Sequence, residues 1–209
     1  YTAERLLFRA SSIQRKIASN PDVAPPAMIS AAEKDFGRVM LKFPKSGAAK
    51  QARMSLGGFY FSCKKYDKAL LTFEDVISRY KEDIALSSRA QFMKGYVYET
   101  QNKWPEALRE YTILRDRYSN TPAGLQIPLY IGSRYQAKEM KTEAAAAFKK
   151  AVMHYKALEV KNKNSMLGYM AASMTVRTHV LMKQYENAGA EVERIINNYP
   201  LGLALREQL

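Results

Sequence analysis

Residues Leu56 to Tyr80 read LGGFYFSCKKYDKALLTFEDVISRY. A glycine pair stands inside what is otherwise a helical pattern, and the spelling returns along the chain. Aligned on Ala69, Phe73 lies four residues on and Tyr80 seven beyond that. The same spacing occurs at Ala32-Phe36-Phe43, Ala107-Tyr111-Tyr118 and Ala144-Phe148-Tyr155, and in weaker form at Ala188-Val192-Tyr199. The alanines step by 37, 38, 37 and 44 residues. Twelve residues before three of them stand Gly57, Gly95 and Gly132, each followed after three residues by Tyr60, Tyr98 or Tyr135.

These offsets keep the marked residues on one helical face. The unit they predict is a helical hairpin. The glycine lets the first helix approach the second, the alanine supplies the matching flat spot, and Tyr and Phe fill the space between neighbouring hairpins. Glycine inside a helix costs ~1 kcal/mol against alanine, so its recurrence needs a packing reason. Gly58 has no register partner, since Tyr96 and Ser133 stand in its place.

The pattern of small residue, aromatic three later and Ala-x3-Phe resembles the tetratricopeptide repeat. The stretch NKWPEALREY, Asn102 to Tyr111, carries the resemblance most closely. It extends over Ser46–Tyr155 and, more weakly, over Ala27–Pro44 and Met166–Pro200. The period exceeds the usual 34 residues. FPKSGAAKQARMSLGGFYF, Phe43 to Phe61, also resembles bacterial envelope repeat proteins of the BamD and CpoB type. Their units run from an aromatic-Pro-x-Ser turn into Ala-x-x-Ala and Leu-Gly-x-x-Tyr. The fold implied is an all-α right-handed superhelical solenoid of about five helix-turn-helix repeats. The function implied is a non-enzymatic scaffold in the periplasm or at the inner face of the outer membrane. The competing expectation is a cytoplasmic regulatory module of a signalling or nucleic-acid-binding protein.

The expected helix pairs are Tyr1–Ala18 with Ala27–Phe43, Ser46–Cys63 with Tyr66–Tyr80, and Ala85–Gln101 with Trp104–Tyr118. Thr121–Glu139 with Thr142–Leu158 and Ser165–Lys183 with Tyr185–Tyr199 follow. They form one solenoid over 1–209, with a divergent first pair in 1–44, three well-matched repeats in 46–155, a divergent last repeat in 165–200 and a further helix starting in 201–209. In the first pair, Asn20 falls at the glycine position. Leu6, Ala10, Ile13 and Ile17 predict a helix packed on the stack. Thr121 is an expected cap, with Pro122 in the first turn. Pro128 should kink its helix or delay its start. The last pair carries Val176 and His179 at the glycine and tyrosine positions.

The chain of 209 residues is 47% hydrophobic, so it can bury a core. It opens at Tyr1 inside an amphipathic pattern, which predicts a piece of a longer protein whose signal peptide or lipid anchor would lie upstream. The net charge of +13 is spread along the chain. It favours acidic partners, with any membrane attachment through an anchor or complex outside this piece. One-base-per-repeat readers need a stricter period than this one, so a nucleic-acid role is not expected.

Catalytic chemistry lacks its residues. His154, His179 and Cys63 are the chain's histidines and cysteine. They cannot build a zinc site or a Cys-His pair without borrowing distant carboxylates. No catalytic residue, metal, cofactor or small-molecule substrate is expected. Cys63 reads as an inert thiol, His179 as a core or groove-edge residue and His154 as solvated.

The concave wall of such a stack comes from the first helix of each pair. By register it presents Met54 and Phe61, then Arg89, Phe92 and Tyr96, then Leu129, then Met170 and Arg177. These are the expected contacts for a protein partner, with Phe92, Tyr96 and Leu129 at the centre and the arginines orienting acidic groups. Chaperone-docking relatives clamp a terminal carboxylate with Lys, Asn and Arg on this wall. Here Met54, Gly58, Phe92, Met93 and Tyr130 take those places, so no such clamp is expected.

Overall fold

The computed structural model describes residues 2–18 and 25–199. Those residues form ten α-helices and no strand: α1 Thr2–Ala18, α2 Pro26–Lys42, α3 Gly47–Ser62, α4 Tyr66–Arg79, α5 Ile84–Thr100, α6 Trp104–Arg117, α7 Pro122–Ala137, α8 Lys141–Lys161, α9 Met166–Leu181 and α10 Tyr185–Asn198. The helix expected in 201–209 lies outside the described residues. The helices start and end within a turn of the positions read from the sequence. Two compact units divide inside α6, at Leu114 and Arg115.

Two recurring turns set these ends. Between hairpins, a side chain caps the next first helix. Ser46, Thr121 and Ser165 accept from the N–H of Ala49, Gly124 and Gly168, and each hydroxyl donates back to the carbonyl three residues upstream. Asp83 caps Leu86 N–H in the same way but has no proton to donate, and Ser87 Oγ reaches Tyr80 O instead. A Cβ on Gly124 would lie 1.9 Å from Tyr118 O, so the turn closes only over glycine there.

Within hairpins, Lys64, Asn102, Glu139 and Lys183 adopt positive φ of 57–59°. The residue after each donates its N–H to the carbonyl of Tyr60, Tyr98, Tyr135 or His179. This is the six-to-one bond that ends a helix over a left-handed residue.

In the unit of residues 1–114, α1 packs on α2 and α3, and α4 joins α3 to α5. Leu7 and Ala10 of α1 meet Ala32, Phe36, Val39, Ala52 and Phe59, with Leu6 and Ile13 at the margin. The side chain of Ile17 lies outside the described residues. A second cluster joins Ala69, Phe73 and Val76 to Ala90 and Val97. In the unit of residues 115–209, α8 lies between α7 and α9, and α9 packs on α10. Its core runs through Leu125, Leu129, Phe148, Tyr155, Leu158 and Met174.

The register glycines meet a ring rather than the alanine. A Cβ at Gly57 would fall 2.5 Å from the Phe73 ring, at Gly95 2.3 Å from Tyr111, and at Gly132 2.4 Å from Phe148. In these three hairpins the alanine-plus-four aromatic therefore packs against the glycine of its own hairpin. In the last hairpin the two positions hold Val176 and Val192. Val192 is 42% exposed there, so it does not fill the place that the rings take in the other hairpins.

One alternative for Pro128 is ruled out, and one helix end is corrected. Pro128 does not delay its helix: α7 starts at Pro122 and runs through Pro128. α8 continues past Leu158 to Lys161, giving 21 residues against 14 in α4, α6 and α10. Most of the longer last step of the repeat is this extension.

Candidate functional site

In the first unit, the expected wall residues of α3 and α5 do come together. Ring centroids of Phe61 and Tyr96 are 5.4 Å apart, and Phe92 stacks on Tyr96 at 6.2 Å with planes 10° apart. Inward, Phe92 lies 5.9 Å from Tyr111, and Tyr111 lies 6.2 Å from Trp104. Tyr66 continues the track on the other side, 6.1 Å from Phe61. The track is anchored in the core, because Tyr111 is fully buried and donates to Glu99 at 2.8 Å. Its outer edge is Tyr96, which is 39% exposed.

Beside the track, α3 and α5 enclose an open groove of about 460 Å³ lined by Gln51, Met54, Ser55, Leu86 and Arg89. Lys50 and Asp83 close one end with a 2.8 Å salt bridge. The bond from Lys50, with the N–H of Leu86, holds the Asp83 carboxyl below its ordinary value. Arg89 is exposed and has no ion pair among the described residues.

Most neighbouring carboxylates are already engaged. Arg9 holds the buried Asp35, Arg53 and Arg79 share Asp75, and Lys94 bridges Glu74 and Glu110. These pairs engage the carboxylates nearest the groove and leave Arg89 without one among the described residues. A face that joins apolar rings to an unpaired guanidinium suits a segment with apolar and acidic side chains.

The second unit answers differently. Leu129 is 6% exposed inside the core cluster, so it is not a wall residue. The register gave it the place of Phe92, but α7 turns it inward beside Tyr155. Met170 and Arg177 lie seven residues apart on one face of α9, and both are exposed.

Tyr66 was missed by the wall register, although a signal was present. Three residues before the register alanines stand Tyr66, Trp104 and Tyr185, a recurrent aromatic at the start of the second helix. The histidines also differ from expectation in one case. His179 is buried, with Nδ1 2.8 Å from Gln184 Oε1. His154 is half-buried rather than solvated, with Nε2 inside and no hydrogen-bond partner. Burial, reinforced by Arg115, lowers its pKa below the ordinary value. Cys63 is half-buried, and burial raises its thiol pKa.

Among the described residues, no group of three or more His, Cys, Asp or Glu side chains could hold a metal ion. No helix there is long and apolar enough to cross a membrane.

Residues 89–121 match the family model for the tetratricopeptide repeat. That segment begins at Arg89 and ends at the Thr121 cap. Among solved structures, the chain is similar to a singly substituted form of a Podosopora anserina protein described as a kinesin light chain with nearly identical TPR-like repeats. The TM-score is 0.50 at 14% identity, covering 100% of this chain and 99% of that one. The unsubstituted form gives a TM-score of 0.49 at 14% identity over 93% and 94%. BtubC (BKLC) of P. vanneervenii gives 0.44 at 14% over 93% and 90%. No curated protein sequence matches the chain. The described residues have an all-α fold of tetratricopeptide-like helical hairpins.

Proposed function

We propose that this chain is a non-enzymatic scaffold that binds a peptide or helix of a protein partner on the α3/α5 face of its first unit. Met54, Phe61, Phe92 and Tyr96 take the partner's apolar side chains, and Arg89 orients an acidic group. On α9, Met170 and Arg177 form a further contact set. The observation that supports this most is the stacked Phe92–Tyr96 pair beside an unpaired Arg89. Rings whose positions are fixed by a buried anchor bind with little ordering cost. We place the complex in a bacterial cell envelope, in the periplasm or at the inner face of the outer membrane. The Phe43–Phe61 spelling supports that placement.

The test begins with a photo-crosslinking residue at Tyr96, and separately at Arg109, in the native host. The crosslinked segment is then titrated as a purified peptide. Phe92→Ala and Tyr96→Ala should each weaken it at least ~tenfold with folding intact. Arg89→Ala should act mainly at low salt. Parent-like binding by all three, with loss on changing Arg109 or Lys149, would move the site to the second helices.

A further inference from the structure

We infer that the outer face of α8, in the second unit, docks on an anionic lipid bilayer, with Met153 and Val160 entering the headgroup layer. α8 is amphipathic in an unusual sense. Its inner face carries Ala144, Phe148, Ala151, Tyr155 and Leu158 into the core. Its outer face is neither mixed in charge nor fully polar.

Met153 is 64% exposed and Val160 78% exposed. They stand seven residues apart, which places them on one stripe two turns from each other. Exposed Lys149, Lys150, Lys156 and Lys161 flank them, with Lys141 at the start of the helix and Lys163 just beyond its end. Exposed Ala145, Ala146 and Ala157 keep the surface between them low.

The charge on this face has one sign after the first turn. The helix has two carboxylates. Glu143 sits in the first turn, and Glu159 is turned inward. Arg194 grips Glu159 with two bonds of 2.8 Å, and Tyr199 donates to it at 2.9 Å. Lys156 is paired with Glu191 at 2.9 Å. The other five lysines named have no salt bridge among the described residues. Elsewhere the second helices differ: α4 exposes Asp67 and Glu74 beside Lys68 and Arg79, and α10 exposes Glu186 and Glu193. The seven extra residues of α8 lengthen its face by about 10 Å at 1.5 Å per residue.

The side-chain chemistry favours lipid over other polyanions. Bidentate, geometrically fixed phosphate recognition favours the arginine fork, and single-strand binding adds aromatic platforms. This face has no arginine and no aromatic ring. Lysines are point charges on flexible stems that reach mobile headgroups while their methylenes lie along apolar surface. Protruding aliphatic tips between lysines add an apolar signal to the electrostatic one, and membrane attachment strengthens when two signals combine.

Vesicle co-sedimentation of the full chain tests this. The vesicles are phosphatidylcholine alone, or with about one third phosphatidylglycerol, at ionic strengths of about 0.05 and 0.5 M, which bracket strong and weak screening. Binding should need the anionic lipid and fall steeply at the higher salt. The pair Lys149→Glu/Lys150→Glu should lose at least ~tenfold, while Lys81→Glu/Arg109→Glu, an equal charge change elsewhere, should lose far less. Met153→Ser/Val160→Ser leaves the charge unchanged and should still weaken binding several-fold. Met153→Cys in a Cys63→Ser background, labelled with an environment-sensitive dye, should shift to the blue only on anionic vesicles. That readout does not depend on the charge-reversed pair folding. Equal loss from both charge pairs, no effect of the serine pair, or no dye shift would each overturn the inference. So would tighter binding to single-stranded RNA or polyglutamate than to the vesicles at the same ionic strength.

Discussion

Tyr155 accepts a hydrogen bond from the backbone N–H of Leu129 at 3.2 Å, from one helix across to another. The same hydroxyl donates to Leu125 O at 2.8 Å. Leu125 O and Leu129 N would ordinarily bond to each other in α7. The tyrosine hydroxyl bonds to both, one residue past Pro128, which has no N–H to give. Burial raises the Tyr155 pKa, and the hydroxyl stays protonated as the donor role requires.

Tyr155→Phe should therefore destabilise the chain by about 1–3 kcal/mol, since two buried backbone groups lose their shared partner. In a Pro128→Ala background the helix regains the N–H that bonds to Gly124 O, and the same change should cost less. Denaturant unfolding of the four proteins gives the coupling. A coupling near zero would mean that Tyr155 contributes through its ring alone.

The glycines separate two kinds of site. Gly95→Ala should destabilise by about 1–3 kcal/mol, because its Cβ would overlap a fully buried ring whose hydroxyl is tied to Glu99. Gly37→Ala and Gly189→Ala meet nothing within 4 Å and should each stabilise by about 0.5–1 kcal/mol through helix propensity alone. Thermal melts with the same sign for Gly95→Ala and Gly37→Ala would refute the ring-on-glycine packing.

This packing marks the limit of what the sequence conveys. The register located Gly57, Phe73 and Ala69 correctly, because a helical period fixes which residues share a face. It did not say that Phe73 rather than Ala69 lies on the glycine, since that depends on how far the second helix is rotated. That Phe61, Phe92 and Tyr96 adjoin one another was legible because their own hairpins obey the register. The place of Leu129 was not, because its side chain is buried with Leu125, Phe148 and Tyr155 in the core of the second unit. His154 sits at a position that looks solvated within its repeat. The groups that cover it come from another helix, where Arg115 and Asp116 lie.

His154 gives a pH dependence. Its folded pKa is depressed, first by burial and then by Arg115. The unfolded imidazole takes its proton near ~6.5. As pH falls through that value, the unfolded state binds a proton that the folded state resists. Stability is thus full above ~6.5 and declines below it until the folded imidazole also protonates. His154→Phe should flatten this decline between about pH 7 and pH 5, the range in which histidine titrates. In proton NMR the His154 ring signal should titrate below ~6.5, and a midpoint at or above that value would contradict its burial.

The turns inside the hairpins offer the last test. Asn102 and Glu139 both have φ of 59°, and Lys183 has 58°. Each supplies the left-handed residue that lets the next N–H close on the carbonyl of Tyr98, Tyr135 or His179. A side chain in that conformation crowds its own carbonyl and costs roughly 1–2 kcal/mol, except for Asn, which tolerates it better. Glycine removes the crowding but loses more entropy on folding. Glu139→Gly and Lys183→Gly should therefore stabilise by about 0.5–1 kcal/mol net, and Asn102→Gly by clearly less. The ranking is the informative part, because all three turns close the same bond and differ only in the residue. Urea midpoints at constant slope measure it. If Asn102→Gly gained as much as Glu139→Gly, side-chain strain would not be what separates these turns. If Glu139→Gly and Lys183→Gly both lowered the midpoint, unfolded-chain entropy would outweigh the strain.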